Sequence, residues 1–170
     1  MSIIGALVAY KGRPAKVVSS TTHKYEISFS DGSKQKVREK DFRFIHPEFS
    51  SVHNSCPEVD TSILNDFDDE SLTLKELTEW LFDDFTSQNA WFVYLMSEDG
   101  LYFYWNKNVL FIRSVDQIES IRSSRLERAL EEESLRNCVD HLKKDSFENN
   151  DISWIHEIEQ VAYNQSKHSK

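Results

Sequence analysis

The sequence predicts an α+β protein with an N-terminal SH3-like small β-barrel, a winged helix-turn-helix and C-terminal charged helices. Two observations predict this order. The first 49 residues form short runs of alternating apolar and polar side chains, whereas apolar residues recur at helical spacing from Leu74 onward. Two helical segments are then followed by two short apolar runs on either side of Asn106-Lys107-Asn108, which is the order of a winged helix.

Residues 1–49 are predicted to form the barrel. The apolar run from Ile3 to Tyr10 ends at the turn signal Lys11-Gly12-Arg13-Pro14. The stretch Tyr25–Phe29 alternates with a period of two, as a half-buried strand does, and Asp31-Gly32 is a hairpin signal. Five short strands with a one-sided apolar pattern are typical of a small barrel of SH3-like or Tudor-like type.

A linker is predicted over residues 50–61, which are rich in Ser, Pro, Asn, His and Glu. The winged helix-turn-helix is predicted over 62–113, and its first helix is expected around 62–69. Thr73 stands three residues before Glu76, which predicts a capping box at the start of a helix over 74–83.

Thr86 or Ser87 is expected to cap the second helix of this unit, which should end at Asp99-Gly100. Residues 101–105 and 109–113 are expected to be the two strands of the hairpin. A reading helix for duplex DNA usually carries Arg or Lys, but this one has neither, and its polar positions are Gln88, Asn89 and Ser97. A packing or protein-contact role is therefore favoured over DNA recognition.

Residues 114–170 are predicted to form one or two long helices to about residue 144 and a terminal helix over about 151–163. A narrow apolar stripe is expected along the first part: Ile118, Ile121, Leu126, Leu130, Leu135, Val139 and Leu142. The terminal helix is expected to place Trp154, Ile155, Ile158, Val161 and Ala162 on its inner face. Because this apolar face needs a partner surface and is followed by a polar end, the segment is interpreted as the start of a longer protein.

Charge is distributed unevenly along the chain. The net charge is −9, yet residues 1–49 carry nine Lys/Arg and five acids, so that they have a net charge of +4 and the remainder −13. No signal peptide or apolar run of spanning length is present, and Cys56 and Cys138 lack the spacing of a disulfide framework. These features predict a protein of the cytoplasm, or of an organelle stroma or matrix, that does not enter a membrane.

The residues present no complete catalytic or metal centre. The acidic run Asp66-Phe67-Asp68-Asp69-Glu70 has no second acidic motif to converge with, and it is interpreted as a solvated helix end. His46, His53 and Cys56 lack a fourth ligand at a suitable spacing. No phosphate loop or nucleophile motif is found, so that no catalytic residue, no metal ligand and no cofactor are predicted in this chain.

Basic residues of the first 49 positions are interleaved with Tyr10, Tyr25 and Phe42, and two interpretations are open. The cations are Lys11, Arg13, Lys16, Lys34, Lys36, Arg38, Lys40 and Arg43. They would bind phosphates while the rings stack on bases, or they would be the solvated surface of a barrel whose aromatic residues lie inside.

Several segments of this chain resemble the N-terminal region of exoribonucleases of the ribonuclease II/ribonuclease R (RNB) family, in the branch that carries a winged helix-turn-helix. They are Gly5-Ala6-Leu7-Val8, Tyr10 to Val17, Lys36 to Asp41, His46-Pro47, Leu72 to Leu77, Ala90-Trp91 and Gly100 to Phe103. The resemblance covers about 160 residues. It is most specific in the first 47 residues and only a matter of pattern after about residue 115.

The resemblance implies an RNA-binding accessory region without the magnesium-dependent catalytic domain of that family. Single-stranded RNA and the chain's own or a separate catalytic domain would be the partners, and the oligomeric state is open. The implied RNA-binding residues are Lys11, Arg13, Lys16, Lys36, Arg38 and Lys40. A protein-interaction module that docks on a partner or catalytic domain is the alternative, and a winged-helix DNA-binding regulator is the third hypothesis.

Overall fold

The computed structural model describes residues 3–22, 24–55, 57, 59, 71–144, 146 and 148–168. The fold is α+β, as predicted, and the chain divides into two compact units over residues 1–118 and 119–170. The strands are β1 (Leu7–Tyr10), β2 (Arg13–Ser20), β3 (Tyr25–Phe29), β4 (Lys34–Val37), β5 (Arg43–His46), β6 (Ser71–Leu72), β7 (Phe103–Asn106) and β8 (Val109–Ile112). The α-helices are α1 (Leu74–Phe82), α2 (Ser87–Asp99), α3 (Val115–Lys143) and α4 (Ile152–His168), with 3₁₀ turns at Glu39–Asp41 and Asn149–Asp151.

The first sheet is an antiparallel meander in the order β4-β3-β2-β1-β5. The last strand returns beside the first, and β2 changes register against β3 at a bulge between Val17 and Ser19. Among the described residues β4 and β5 are the two edges of this sheet and do not pair with each other, so the sheet predicted as an SH3-like small barrel is not closed. Alternation along a strand indicates which side is buried, but it does not determine whether distant edges meet.

Strand β1 is buried on both faces, because the first sheet covers two cores. Ala6 and Val8 face a core made within the sheet, together with Val17 and Ile27. Leu7 packs into a second core formed with helices α1 and α2 and with strands β7 and β8, as do Ala9 and Ile45. The sheet and the helical part of residues 1–118 are therefore joined through shared apolar contacts.

Helices α1 and α2 begin at residues that satisfy their first backbone N–H groups. Thr73 forms the predicted capping box: its hydroxyl accepts from the Glu76 N–H, and the Glu76 carboxylate accepts from the Thr73 N–H at 2.8 Å. Thr86 caps α2 by accepting from the Asn89 N–H, and the helix ends at Gly100 in the left-handed conformation, as predicted. Trp91, at 0 % exposure, anchors the core between these helices and the sheets.

The segment predicted as a linker packs on α2 in its described part. Val52 lies against the core, and the Gln88 amide pairs with both backbone groups of His53 at 3.0 Å. The Trp91 Nε1–H donates to the Asn54 amide oxygen at 2.9 Å. The second sheet, in the order β6-β8-β7, contains the predicted hairpin, whereas the helix expected around 62–69 lies outside the described residues.

Residues 119–170 form a unit in which α4 packs on the C-terminal half of α3. The Trp154 Nε1–H donates to the Ser134 hydroxyl at 2.8 Å, and His141 Nδ1 lies 2.8 Å from the buried Asp151 carboxylate. The predicted inner face of α4 is only partly buried, because Ile158 and Val161 are 45 % and 57 % exposed.

The stripe predicted along α3 is not one stripe. At about 100° per residue, Leu126 and Leu130 lie on one side of the helix, whereas Leu135 and Val139 lie on the opposite side. In the part of the chain that the structure describes, no helix is long and apolar enough to cross a membrane.

Candidate functional site

A groove of about 840 Å³ runs within residues 1–118, between β5 with its preceding 3₁₀ turn and the ends of the helices and the hairpin. Its cations come from four separate segments: Lys11 follows β1, Lys40 lies in the 3₁₀ turn, Arg43 begins β5 and Lys75 lies in the first turn of α1. Five aromatic residues line the groove: Phe42, Phe44, Phe85, Tyr94 and Trp105. Three acids are also present: Glu39, Asp41 and Glu98.

Arg43 connects the first sheet with the hairpin at the groove wall. Its guanidinium carbon lies 3.8 Å from the centre of the Trp105 ring, and its Nη1 donates to the Lys107 carbonyl at 3.1 Å. Burial lowers the pKa of Arg43, although a guanidinium remains protonated in proteins. The contact fixes a positive charge in the wall instead of leaving it on a mobile side chain.

Tyr94 lies beside Arg43 and is almost fully buried. Burial, together with the nearby Glu98 carboxylate, raises the pKa of Tyr94 to about 12. Its ring stacks on Trp91 with centroids 4.9 Å apart. Tyr94 therefore stays neutral at physiological pH.

Phe44 is the aromatic side chain of the groove that is most open to a ligand. It is 45 % exposed, whereas the next residue along β5, Ile45, is 1 % exposed. Burying a half-exposed aromatic ring is favourable, and planar groups can stack on its face. Phe44 can therefore receive a planar ligand group without displacing a core side chain.

The structure brings only two of the six predicted RNA-binding residues, Lys11 and Lys40, into this groove. Lys11 adopts the left-handed conformation at φ 51°, and its Nζ lies 5.4 Å from the centre of the Tyr10 ring. Lys16 on β2 and Lys36 on β4 are exposed and do not line the groove, and Lys36 faces Glu26 across the sheet.

Arg13 and Arg38 are both held in ion pairs and do not line the groove themselves, although Asp41, the partner of Arg38, does. Arg13 donates to Asp31 at 2.9 Å and lies over the Phe29 ring at 4.4 Å. Hydrogen bonds from Ser33, aided by Arg13, lower the pKa of Asp31 to about 2. Arg38 donates to Asp41 at 3.1 Å, and this bond lowers the pKa of the Asp41 carboxyl.

Sequence reasoning missed Lys75 and Phe44 and did not include Arg43 in the predicted site. Arg43 belonged to the basic group of the first 49 residues, so its charge was visible although its neighbours were not. Phe44 gave a weak signal, because it occupies the exposed position next to an apolar residue in a strand. Lys75 gave none, since one lysine in the first turn of a helix is ordinary.

The predicted reading helix, α2, offers few side chains that could contact DNA bases. Residues 90–94 are all buried, and the Gln88 amide is bonded to the His53 backbone. The Asn89 amide donates to the Asp84 carbonyl at 3.0 Å, and the Ser97 hydroxyl accepts from Trp105 at 2.7 Å. All three polar side chains of α2 named from the sequence therefore serve packing.

The two histidines considered as metal ligands have structural contacts. Nδ1 of His46 lies 2.7 Å from the Glu48 carbonyl oxygen and 3.0 Å from the Glu48 backbone nitrogen, and its Nε2 lies 3.2 Å from the Phe85 carbonyl oxygen. His53 packs edge-on against Phe92, and Cys56 lies outside the described residues. Within the described ranges, no group of three His, Cys, Asp or Glu could hold a metal ion.

No protein-family model, no curated protein and no solved structure matches this chain. A function for this chain is therefore inferred from the groove and its side chains.

Proposed function

We propose that this chain is the RNA-engaging accessory region of an RNB-type 3′→5′ exoribonuclease and that single-stranded RNA lies in the groove beside β5. The observation that carries the proposal is the meeting of Lys11, Lys40, Arg43 and Lys75 in one groove of about 840 Å³. Lysine and arginine side chains attract the phosphates of a single strand through counterion release. The catalytic residues and the magnesium would belong to a catalytic domain of the same or another chain.

Phe44 supplies the second element of a single-strand binding site. Such sites combine a positively charged groove with aromatic rings on which bases stack, and they tolerate different sequences because every base has a flat face. Phe44 is 45 % exposed and lines the same groove as the cations. The groove therefore favours RNA binding without sequence specificity.

Strand and helix order support the finer part of the proposal. The first sheet, with β5 returned beside β1 after a 3₁₀ turn, supports an SH3-like module whose sheet stays open. Helices α1 and α2 followed by the β7–β8 hairpin support a winged helix-turn-helix whose wing is this hairpin. In this proposal the wing contributes Trp105 to the groove wall.

The proposal predicts which lysines carry the salt dependence of RNA binding. A fluorescent single-stranded RNA is titrated with the full chain between about 25 and 200 mM salt. Substituting Lys11, Lys40 and Lys75 with Ala together should lower the slope of log affinity against log salt by about 2, because each lost phosphate contact contributes about 0.7.

The matched control substitutes Lys16, Lys34 and Lys36 with Ala, which removes the same charge from exposed sheet positions outside the groove. This variant should keep the slope of the unchanged chain. If only the control variant loses the dependence of RNA affinity on salt, the RNA lies on the outer face of the sheet. An unchanged slope in both variants, or no binding at the lowest salt, would contradict RNA binding by these residues.

A second function, a protein-interaction module that docks on a catalytic domain, is favoured by one observation. The second unit exposes several apolar side chains, among them Ile152 and Tyr163 of α4 at 63 % and 62 %. Apolar docking survives high salt whereas phosphate binding does not. The test is complex formation with an RNB catalytic domain at 500 mM salt, roughly five times the ionic strength at which the Debye length is about 10 Å. A complex that persists at this salt concentration would favour this function.

A further inference from the structure

One face of α3 presents exposed side chains at positions that repeat every four and three residues. The positions are Glu119, Ser123, Leu126, Leu130, Glu133 and Asn137, here called the 119–137 face, and all six are exposed. Leu126 and Leu130 are 62 % and 57 % exposed. Helix α4 packs beside the C-terminal end of this face, where Ser134 and His141 contact Trp154 and Asp151.

We propose that a second copy of this chain packs on the 119–137 face, so that two α3 helices form an antiparallel pair. Alternate spacing of four and three residues is the spacing of a coiled-coil seam. Two-fold symmetry makes an interface self-complementary, so that residue i contacts residue j and j contacts i. The face meets this condition around a two-fold axis at Arg128.

Positions at equal distances on either side of Arg128 are complementary. Leu126 and Leu130, two residues on either side, would pack against each other in both directions. Five residues away, the Ser123 hydroxyl can donate to the Glu133 carboxylate of the second copy. Nine residues away, the Asn137 amide can donate to the Glu119 carboxylate of the second copy.

Charge selects the antiparallel orientation. In a parallel pair, Glu119 would face Glu119 of the second copy, and Glu133 would face Glu133 of the second copy. Like charges in a seam are unfavourable. In the antiparallel pair, Arg122 lies beside Glu133 of the second copy, and Arg136 lies beside Glu119 of the second copy. Because two leucines per copy bury little apolar area, we expect a weak, concentration-dependent dimer.

The first test locates the interface by sedimentation equilibrium of the full chain at about 10 to 500 µM, the range in which a weak dimer is measurable. The unchanged chain should show a monomer–dimer equilibrium, and Leu126→Glu should remove the dimer. Val161→Glu is the matched control, because Val161 is also exposed, at 57 %, but lies on α4. It should leave the dimer unchanged.

The second test determines the orientation by charge exchange. Arg122→Glu or Glu133→Arg alone should weaken the dimer about tenfold, and the double variant should restore the affinity to within about threefold. The two residues are eleven positions apart, about 16 Å along one helix, so the rescue cannot come from an intrachain pair.

Three results would overturn the proposal: a monomer at every concentration, a dimer removed by Val161→Glu and kept by Leu126→Glu, or no rescue in the double variant. None of the substituted residues lines the groove, so RNA binding of the same proteins reports separately on the proposed function.

Discussion

Individual side chains connect elements that lie far apart in the sequence, and no local sequence pattern indicates these contacts. Arg43 is the clearest case, because one guanidinium stacks on Trp105 and donates to the carbonyl of Lys107. Both partners lie in the hairpin more than sixty positions further along the chain. The stacked geometry uses the flat guanidinium, and lysine could not reproduce it.

Phe44 provides a residue-scale prediction for the proposed RNA groove. Phe44→Ala should weaken single-stranded RNA binding by about 1–3 kcal/mol and leave the salt slope unchanged, because stacking involves no phosphate. Anisotropy titrations at several salt concentrations measure both quantities. Tyr104→Ala is the control, since Tyr104 is 39 % exposed on β7 and lies outside the groove lining. Equal losses in the two variants would argue against Phe44 as a stacking platform.

Asp151 provides a prediction for pH. Hydrogen bonds from the Glu148 N–H and from His141 lower the pKa of Asp151 below its ordinary value of 3.8. Its contribution to the stability of residues 119–170 is therefore complete above about pH 4 and is lost as the pH falls further. In thermal unfolding followed by helical circular dichroism, Asp151→Asn should be less stable than the unchanged chain at pH 6, with a difference that shrinks towards pH 2.

Asp140→Asn is the control for this measurement, because Asp140 is exposed and its carboxylate lies 3.3 Å from the Lys143 ammonium group. It should follow the unchanged chain at every pH. A difference between Asp151→Asn and the unchanged chain that stays constant down to pH 2 would contradict the ionic role of Asp151.

At the scale of elements, the start of α1 shows how a short motif determines a helix boundary. The Thr73 and Glu76 side chains each bond the backbone N–H of the other residue. The Glu76 carboxylate also accepts from the Thr73 hydroxyl at 2.8 Å, and these bonds lower the pKa of Glu76. The helix consequently begins at Leu74, where Leu74 and Leu77 enter the core.

Thr73→Ala should destabilise the protein by about 1 kcal/mol, because the Glu76 N–H loses its capping oxygen. Urea denaturation followed by circular dichroism measures the change. Thr73→Ser keeps the hydroxyl and should stay close to the unchanged chain. Equal destabilisation by both substitutions would indicate that the threonine methyl group, not the cap, supplies the stability.

At the scale of the whole molecule, strand β1 contributes to both cores of residues 1–118, which predicts that these residues unfold as one cooperative structure. Val8 faces the core within the first sheet, whereas Leu7 faces the core that contains Leu77 and Trp91. A cavity in the helical core should therefore destabilise the sheet as well. If the first sheet and the helical core were independent, such a cavity would destabilise only the helical core.

Leu77→Ala should lower the free energy of unfolding by about 2–5 kcal/mol, because Leu77 is fully buried. Hydrogen exchange should show the same loss of protection in β2 and β3 as in α1. Glu79→Ala is the control on the same helix, since it removes only an exposed pair with Lys75 and should cost less than about 0.5 kcal/mol. Protection lost in α1 alone would contradict the shared core.

Sequence patterns predicted the features that depend on neighbouring residues. The capping box at Thr73, the end of α2 at Gly100 and the hairpin around Lys107 are each encoded within a few positions, and the structure has them there. Lys107 takes the left-handed conformation, at φ 56°, that such a turn requires.

Features that depend on distant residues were not predictable in the same way. Whether β4 meets β5 is a matter of sheet curvature, and the groove unites Lys11 with Lys75 across sixty-four positions. The prediction of one apolar stripe on α3 was wrong for another reason. Apolar residues such as Leu130 and Leu135 recur at intervals that do not keep them on one side of the helix.

Within the residues that the structure describes, β4 is an open edge of the first sheet, which has a consequence for the solubility of the protein. An unpaired edge strand offers its free N–H and C=O groups to any other strand, and edges of this kind are common starting points of aggregation. Here the edge carries Lys34 and Lys36, both exposed. Two such edges brought together would place lysines against lysines. We therefore expect the charges on β4 to protect the folded chain against sheet-to-sheet growth.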